Sequence, residues 1–519
     1  MEVKHKGRTQ KAFRNTAFNF MFKFLDIVLS FALRTVFIHT LSVSYLGING
    51  LFTNILTVLS LMEAGVGSAI VFSLYKPLAE GDDEKVASLM QLYKKTYNVL
   101  GVSIALIGFA MTPLLPYIIN LPENVGNINV IYWLTVANTS ITYFMSYRRS
   151  LLIADQRADI NTKNLMVFRF TRCILLAGVL LLTHNFILYL VAEIVNSFIS
   201  NIHITYVVKK RYANVEKIKP TALEEQEKKQ IVKHISSGLM FKIGQTFVNS
   251  TDSILISMLI NTALVGVYSN YNMIFSNLDV FVYMVFSGIT ASVGNFVVQK
   301  GKEELKALFN KLFLINYMIV CVITVCILCL ATPFVELWIG KEFTLDSLTV
   351  LVICINFYIT SLCNCSGNFL LSQGELYYKN RFRSIIEAAA NLIFSVLFTA
   401  VFDMGITGIF LGTTVCYALG RLWMDPHTLY HNLFDEKFSA FIKKYLAGAV
   451  LCAILCIVCK KVTDLIFSFM SVTVISWILS GMFCALFCLF VLTLVFRKTE
   501  EYGYITDLIK KVVNKLLKR

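Results

Sequence analysis

Long apolar stretches follow one another along the chain and are separated by short polar segments. A helix needs about 20 predominantly apolar residues to cross the hydrocarbon core of a bilayer, and most of these stretches reach that length. Their length and spacing predict fourteen membrane-spanning helices. The approximate limits of the predicted spans are 17–40, 48–73, 95–119, 128–150, 164–183, 186–207, 235–260, 264–297, 311–334, 347–371, 384–402, 405–423, 445–459 and 472–496.

The composition agrees with this pattern. Of 519 residues, 56% are hydrophobic and only 15% are charged, whereas a soluble protein carries about 25% charged residues. The mean hydropathy is +0.67. The sequence therefore predicts an all-α polytopic membrane protein.

The first residues, MEVKHKGRTQKAFRN, are basic and lack a small-residue cleavage site after them, so no cleavable signal peptide is expected.

The basic residues predict the orientation of the chain. There are 47 lysines and arginines, and the loops predicted to lie outside contain only Lys341, Lys460 and Lys461. Because cytoplasmic loops are enriched in basic residues, both termini are expected in the cytoplasm. This bias also explains the net charge of +15 without a nucleic-acid partner.

The chain divides at 209–233, its longest polar stretch. The tripeptide MFK ends at Lys23 and again at Lys242, and a glycine follows 24 residues later in both places, at Gly47 and Gly266. These matches predict an internal repeat offset by 219 residues, with two six-helix bundles related by a pseudo-two-fold axis along the membrane normal.

The predicted parts are a bundle over 1–208, a cytoplasmic linker over 209–233, a second bundle over 234–424, two additional spans over 425–496 and a basic tail over 497–519.

Several charged residues lie inside the apolar spans, as Arg34 does in FALRTVFIH at 31–39. Such residues rarely face lipid and are candidates for a functional cavity. A cationic cavity suits an anion such as pyrophosphate, because the arginine guanidinium offers several donors in a fixed fork. The candidates for substrate binding are Arg34, Lys23 and Lys242. The candidates for gating or ion coupling are Asp252, Glu63, Asp26 and Asp279.

Each of these residues also has a structural interpretation. Arg34 has a long stem that could nearly reach the outer headgroups. Lys23 and Asp26 stand at i and i+3 and suit an ordinary pair on a helix surface. Asp252 has polar neighbours in Asn249, Ser250 and Ser253. Glu193 and Glu387 are interpreted as structural.

Signals of catalysis are thin. The sequence has no GxxxxGK[ST] loop, no GxSxG elbow and no HExxH helix. Most of the thirteen cysteines lie within apolar spans, where cysteine behaves as a small hydrophobe. We therefore expect no enzymatic activity, no metal and no cofactor. Transport would be driven by a gradient, with H⁺ or Na⁺ as the coupling ion, by the membrane potential, or by consumption of the product.

The tail ITDLIKKVVNKLLKR has apolar residues at helical spacing and lysines on the opposite face. This pattern predicts a basic amphipathic helix on the anionic inner leaflet, where it would act as an anchor.

Two stretches carry a family resemblance. YLGINGLFTNILTVLSLMEAGVGSAIVFSLYKPLAEGDDEKVASLMQLYKKTY at 45–97 resembles the Wzx-type polysaccharide repeat-unit flippases of the MOP (multidrug/oligosaccharidyl-lipid/polysaccharide) exporter superfamily. NSTDSILISMLINTALVGVYSNYNMI at 249–274, followed by ITASVGNF at 289–296, is similar to the same proteins. The resemblance implies a MATE-like fold and translocation of undecaprenyl-pyrophosphate-linked oligosaccharide across a bacterial cell membrane. The product would enter capsule, exopolysaccharide or a similar glycan, with a polysaccharide polymerase as a candidate partner.

The resemblance also implies roles for particular residues. Arg34 matches the basic position of the first span, Glu63 the acidic residue of the second span and Asp252 the acidic residue of the NSTD stretch. We hypothesise that Arg34 binds the pyrophosphate and that Asp252 neutralises it in the empty state. Three alternatives stay open: a lipid II flippase of the MurJ type, a cation-coupled multidrug exporter, and a membrane polymerase or glycosyltransferase. The last is disfavoured by the short external loops.

Overall fold

The computed structural model describes the backbone of residues 2–63, 65–121, 125–299, 301–372, 380 and 382–517. It places the side chains of these residues except for 2–20, 230, 232–234, 236–245, 249, 285–299, 508–509 and 511–517. Throughout these ranges the regular secondary structure is helical. The chain forms two compact units: Met1–Thr246 with Asn261–Gly266, and Phe247–Ile260 with Val267–Arg519.

The first nine helices lie in unit 1, the unit that contains residue 1. They are α1 (Glu2–Thr40), α2 (Val43–Leu59), α3 (Val66–Glu80), α4 (Asp83–Ala110), α5 (Leu115–Ile118), α6 (Ile128–Ala154), α7 (Ala158–Thr183), α8 (Phe186–Arg211) and α9 (Ala213–Lys217). Buried residues of α3, α4, α6 and α8, among them Tyr93, Tyr97 and Tyr147, form one hydrophobic core.

Two long helices cross the boundary between the units, and unit 2 holds the helices that follow. The two are α10 (Glu225–Leu259) and α11 (Thr262–Gln299). The rest are α12 (Lys302–Ile339), α13 (Ser347–Ser372), α14 (Arg383–Val396), α15 (Gly405–Leu419), α16 (Met424–Thr428), α17 (Phe438–Met470), α18 (Val474–Phe496) and α19 (Glu500–Leu517). Phe309 packs against Phe369, Tyr430 and Phe434 in an aromatic cluster of this unit.

The helix starts repeat along the chain. The helices α2, α4, α6 and α8 begin at residues 43, 83, 128 and 186, and the helices α11, α12, α13 and α15 begin at 262, 302, 347 and 405. Each of these four pairs is separated by 219 residues, the offset predicted from the two MFK tripeptides. The two halves therefore repeat one order of helices, as a parallel internal repeat requires.

The helices are those of a membrane protein. Nine helical segments of the described chain are long and apolar enough to cross a bilayer. Each of the fourteen predicted spans overlaps at least one helix, and the spans 48–73 and 95–119 each cover two helices joined by a 3₁₀ turn. The most apolar window of α7 buries only 11% of its residues, and that of α18 only 22%. Surfaces this apolar are stable when they face lipid instead of water.

The second predicted span, 48–73, differs from the continuous helix that was expected. It ends its first helix at Leu59, passes through a 3₁₀ turn at Ser60–Glu63 and resumes at Val66. Gly65 has φ of 87°, a left-handed conformation that glycine adopts without a Cβ clash. The break leaves backbone groups outside the regular ladder of hydrogen bonds, at the position of the acidic residue Glu63.

Candidate functional site

Ion pairs connect α1 with α7 in unit 1. Asp26 accepts a hydrogen bond from Lys23 on the same helix, with Nζ to Oδ2 at 3.3 Å. The Arg169 side chain of α7 donates to the other oxygen of the same carboxylate. The pairing of Lys23 with Asp26 therefore has the predicted i, i+3 geometry, and a second cation from another helix completes it.

Further along the same helices lie Arg34 and Arg172. Arg34 interacts electrostatically with the phenol of Tyr189 on α8. Arg172 donates through Nε at 3.0 Å and through Nη2 at 2.5 Å to Oε1 of Glu193, also on α8. The interpretation of Glu193 as structural is compatible with this contact.

These residues give α1, α7 and α8 an excess of positive charge. Four cations, Lys23, Arg34, Arg169 and Arg172, stand against two carboxylates, Asp26 and Glu193. Arg169 and Arg172 are not among the site residues predicted from the sequence, although both lie within the predicted span 164–183. Their position inside an apolar span is the signal that indicates them.

Glu63 lies at the break between α2 and α3. Its Oε1 accepts a hydrogen bond of 2.7 Å from the hydroxyl of Tyr97 on α4, and the hydroxyl of Tyr143 on α6 also reaches this carboxylate. Two other helices of the bundle therefore hold the acidic residue at the one place where its own helix is interrupted. Interrupted helices with polar groups at the break are how transporters build ion and substrate sites.

Asp252 is buried on the part of α10 that belongs to unit 2, with 5% of its surface exposed. Its Oδ1 accepts hydrogen bonds from Asn391 Nδ2 at 3.3 Å and from Thr413 Oγ1 at 3.1 Å. Both partners are neutral and lie on the neighbouring helices α14 and α15. The expected neighbours Ser250 and Ser253 are buried beside it.

The remaining predicted residues are Asp279 and Lys242. Asp279 on α11 accepts a hydrogen bond of 2.8 Å from the hydroxyl of Ser361 on α13. Lys242 lies on α10, and its side chain falls outside the described residues. The proposed exchange between Arg34 and Asp252 joins residues of different units and stays a hypothesis.

A second group of charges, separate from the predicted site residues, is buried in unit 2. Arg383 Nη1 lies 2.6 Å from Asp425 Oδ2 and 3.9 Å from Glu387 Oε1, and Arg421 Nε lies 3.6 Å from the same glutamate oxygen. Two cations balance two carboxylates, so this cluster carries no excess charge. The i, i+4 spacing within each pair, 383 with 387 and 421 with 425, is the signal that the sequence offers.

Among the described side chains, no three His, Cys, Asp or Glu residues come together in a group that could hold a metal ion.

The sequence itself decides the family. A model of the polysaccharide biosynthesis protein family matches residues 12–290, which is more than half of the chain. The chain belongs to this family. The match contains all seven predicted site residues, from Lys23 to Asp279. A comparison with curated proteins gives no match.

Solved structures of transporters share the fold. The lipid II flippase MurJ in an inward closed conformation has a TM-score of 0.63 at 13% identity, over 92% of this chain and 98% of that chain. A multidrug resistance MATE family transporter of the MOP superfamily, inward-facing, has 0.62 at 14% identity, over 78% and 94%. A MOP superfamily transporter from Pyrococcus furiosus has a TM-score of 0.54 at 17% identity, over 79% of this chain and 93% of that chain.

Family and fold together confirm the resemblance drawn from residues 45–97 and 249–274. This polysaccharide biosynthesis family member has the all-α MOP fold, and it is a multi-span membrane protein. At these identities the solved structures establish the fold of the chain only. Its substrate and its site residues have to be inferred from its own side chains.

Proposed function

We propose that the protein translocates undecaprenyl-pyrophosphate-linked oligosaccharide repeat units from the inner to the outer leaflet of a bacterial cytoplasmic membrane. The observation that carries this proposal is the excess of four cations over two carboxylates on α1, α7 and α8. Inside a membrane such an excess is costly unless an anion compensates for it. A pyrophosphate headgroup supplies that anion, and the family supplies the link to polysaccharide synthesis.

In this proposal Arg34, Lys23 and Lys242 receive the pyrophosphate during alternating access through a central cavity. Lys23 and Arg169 already share the Asp26 carboxylate, so an arriving phosphate would compete with Asp26 for both cations. The exchange of Arg34 between substrate phosphate and Asp252 would bias the equilibrium between the two access states, because the ligand binds one state better than the other.

The carboxylates Glu63, Asp252 and Asp279 are the proposed gating or coupling groups, with H⁺ or Na⁺ as the ion. Glu63 is supported by its place at a helix break and by its two tyrosine partners. Asp252 is supported by its burial and by its neutral hydrogen-bond donors, the side chains of Asn391 and Thr413.

The cellular setting follows from this activity. Both termini would lie in the cytoplasm, the polyprenyl tail would stay in lipid, and a polysaccharide polymerase would act on the translocated unit. The protein would move its substrate without changing a covalent bond.

The experiment is mass spectrometry of undecaprenyl-linked lipids in cells depleted of the protein and complemented with variants. Complete repeat units should accumulate on the carrier after depletion, and the wild-type copy should clear them. An Arg34→Ala copy expressed at the normal level should leave them in place. Arg34→Lys should clear them partly, because it keeps the charge and loses the fork.

Arg497→Ala is the matched control, because Arg497 is exposed at the end of α18; this copy should clear the lipids as the wild type does. An unchanged lipid pool together with increased sensitivity to cationic drugs would identify a drug exporter instead. Normal clearance by Arg34→Ala would remove Arg34 from the site.

A further inference from the structure

The segment between the two halves is attached to unit 1 by side chains. The hydroxyl of Tyr212 donates to Asp155 Oδ2 at 2.6 Å. The backbone N–H of Thr221 donates to Ser88 Oγ at 3.0 Å. Further along, Glu227 forms an ion pair with Lys85. We call residues 212–227 the strap, since they cross the end of unit 1 at which α4 begins and α6 and α8 end.

A cavity of about 170 Å³ lies under the strap. Its polar lining comes from Gln91, Lys94, Tyr147, Arg148, Tyr212 and Glu216. Cavities for drug-sized ligands measure about 300 Å³ or more, so this one has room for a small group only. Two cations and one carboxylate line it, which gives it an excess of positive charge.

The Arg148 guanidinium is only partly satisfied in this cavity. Its Nε donates to the hydroxyl of Tyr147 at 2.9 Å, and its Nη2 lies 3.2 Å from Glu216 Oε1 on the strap. Its Nη1 is buried and has no hydrogen-bond partner. A buried donor of a charged group without an acceptor is costly. One terminal nitrogen of the guanidinium, Nη1, therefore lacks an acceptor, whereas the other, Nη2, lies beside the Glu216 carboxylate.

We propose that this cavity binds a phosphate or diphosphate group, and that Glu216 occupies part of its place when the group is absent. A phosphate offers oxygens to both arms of a guanidinium, whereas Glu216 contacts one arm here. Binding displaces the Glu216 carboxylate and detaches that part of the strap. Because the strap continues into α10, the helix of Lys242 and Asp252, occupation of the cavity is coupled to the start of that helix.

This inference does not rest on the proposed function, because binding and detachment can be measured without transport. Hydrogen–deuterium exchange of peptides within 212–222 is followed in the full-length protein in lipid nanodiscs. One arm adds inorganic diphosphate, and the other uses nanodiscs with or without a polyprenyl diphosphate lipid. Exchange of the strap should become roughly tenfold faster with the anion, as expected when a charge-assisted contact is lost.

A response in the lipid arm alone would assign the cavity to a lipid headgroup, and a response to inorganic diphosphate alone would assign it to a soluble phosphate compound. A response in both arms would assign it to the shared diphosphate group. Each of these three responses would support the proposed anion-binding cavity. Unchanged exchange in both arms would overturn the proposal.

Variants separate the cavity from general loosening. Arg148→Gln should abolish the response to the anion. Arg149→Gln is the matched control, because the Arg149 guanidinium donates to Asn161 and Asn201 instead and does not line the cavity. It should keep the response. Glu216→Gln should exchange rapidly without anion and bind diphosphate more tightly. Equal loss of response in both arginine variants would contradict the assignment, and Arg148→Lys, which keeps the charge, should retain a weakened response.

Discussion

Gly47 of α2 and Thr262 at the start of α11 are in backbone contact within unit 1. A Cβ on Gly47 would overlap the carbonyl group of Thr262, whose carbon would lie only 2.9 Å away. The contact is reciprocal, since a Cβ on Gly266 would lie 2.8 Å from the carbonyl oxygen of Val43. Residues 43 and 262, like 47 and 266, are separated by the repeat offset of 219. Equivalent positions of the two repeats therefore meet where α2 and α11 cross, and the two glycines permit the close approach of the backbones.

Gly47→Ala should destabilise the protein. The added methyl group meets backbone, which cannot move aside as a side chain can, so the expected loss is about 1–3 kcal/mol. Thermal unfolding of the purified protein in detergent measures it. Gly178→Ala is the control, since a Cβ at this helical glycine meets nothing within 4 Å. Equal melting temperatures for Gly47→Ala and the wild type would show that the backbones at Gly47 and Thr262 are far enough apart to admit a methyl group.

The Asp26 carboxylate should couple energetically to Arg169. Asp26→Asn leaves Lys23 and Arg169 without their shared anion, and Arg169→Gln removes one of two cations from it. Each variant should lose roughly 1–3 kcal/mol of stability. The double variant should lose less than the sum, because the interaction is counted twice in the single variants. Thermal unfolding of all four proteins gives the cycle. Additive losses would mean that the pair contributes nothing.

Glu63→Gln should impair transport more than folding. The glutamine amide oxygen can still accept the hydrogen bond from Tyr97, but the charge at the helix break is lost. Clearance of lipid-linked repeat units should fall roughly tenfold, the loss expected for a coupling interaction of this size. Tyr97→Phe, which removes the hydrogen bond and keeps the charge, should have a smaller effect. A larger effect of Tyr97→Phe would assign Glu63 a structural role.

The spans and the repeat could be predicted because their signals are local or periodic. Each span is a run of about 20 apolar residues, and the offset of 219 follows from equal spacing between Lys23 and Gly47 and between Lys242 and Gly266. The break before Gly65 could not be predicted. A glycine in an apolar run is equally compatible with tight helix packing, and only the backbone φ distinguishes the two.

The partners of the buried charges could not be predicted either. Asp252 bonds Asn391 and Thr413, which are 139 and 161 positions away, and Asp26 bonds Arg169 at a separation of 143. The tertiary fold brings these residues together, and nothing in the pattern around each residue indicates the other. The cavity at Arg148 has the same origin, because its carboxylate comes from the strap.

Cys459 and Cys488 should form a disulfide on oxidation. Their sulfur atoms are 4.0 Å apart on α17 and α18, so a small change of side-chain torsions brings them to bonding distance. In a variant whose other cysteines are replaced by serine, diamide should take up two electrons and two protons from the two thiols. Alkylation and intact-mass measurement then count the remaining thiols. Variants with only Cys459 or only Cys488 should still be alkylated after diamide treatment, because neither thiol has an intramolecular partner there. Full alkylation of the variant that keeps both cysteines would contradict the arrangement of α17 and α18.

The attachment of the strap through Tyr212 should not change between pH 6 and 9. Burial, together with the hydrogen bond to Asp155, raises the pKa of Tyr212 to about 12. The neighbouring Arg211 acts in the opposite direction and lowers this pKa. Because the pKa is raised in the folded state, the contribution of this phenol is fully present below its ordinary value of 10.0 and is lost only as the pH rises through 12. Hydrogen exchange of peptides around 212, corrected for the intrinsic rate, should therefore show constant protection over this range. Tyr212→Phe should lower the protection equally at every pH, since it removes the donor to Asp155 and nothing that titrates there. Protection of the wild type that falls already between pH 7 and 9 would show that another titrating group holds this end of the strap.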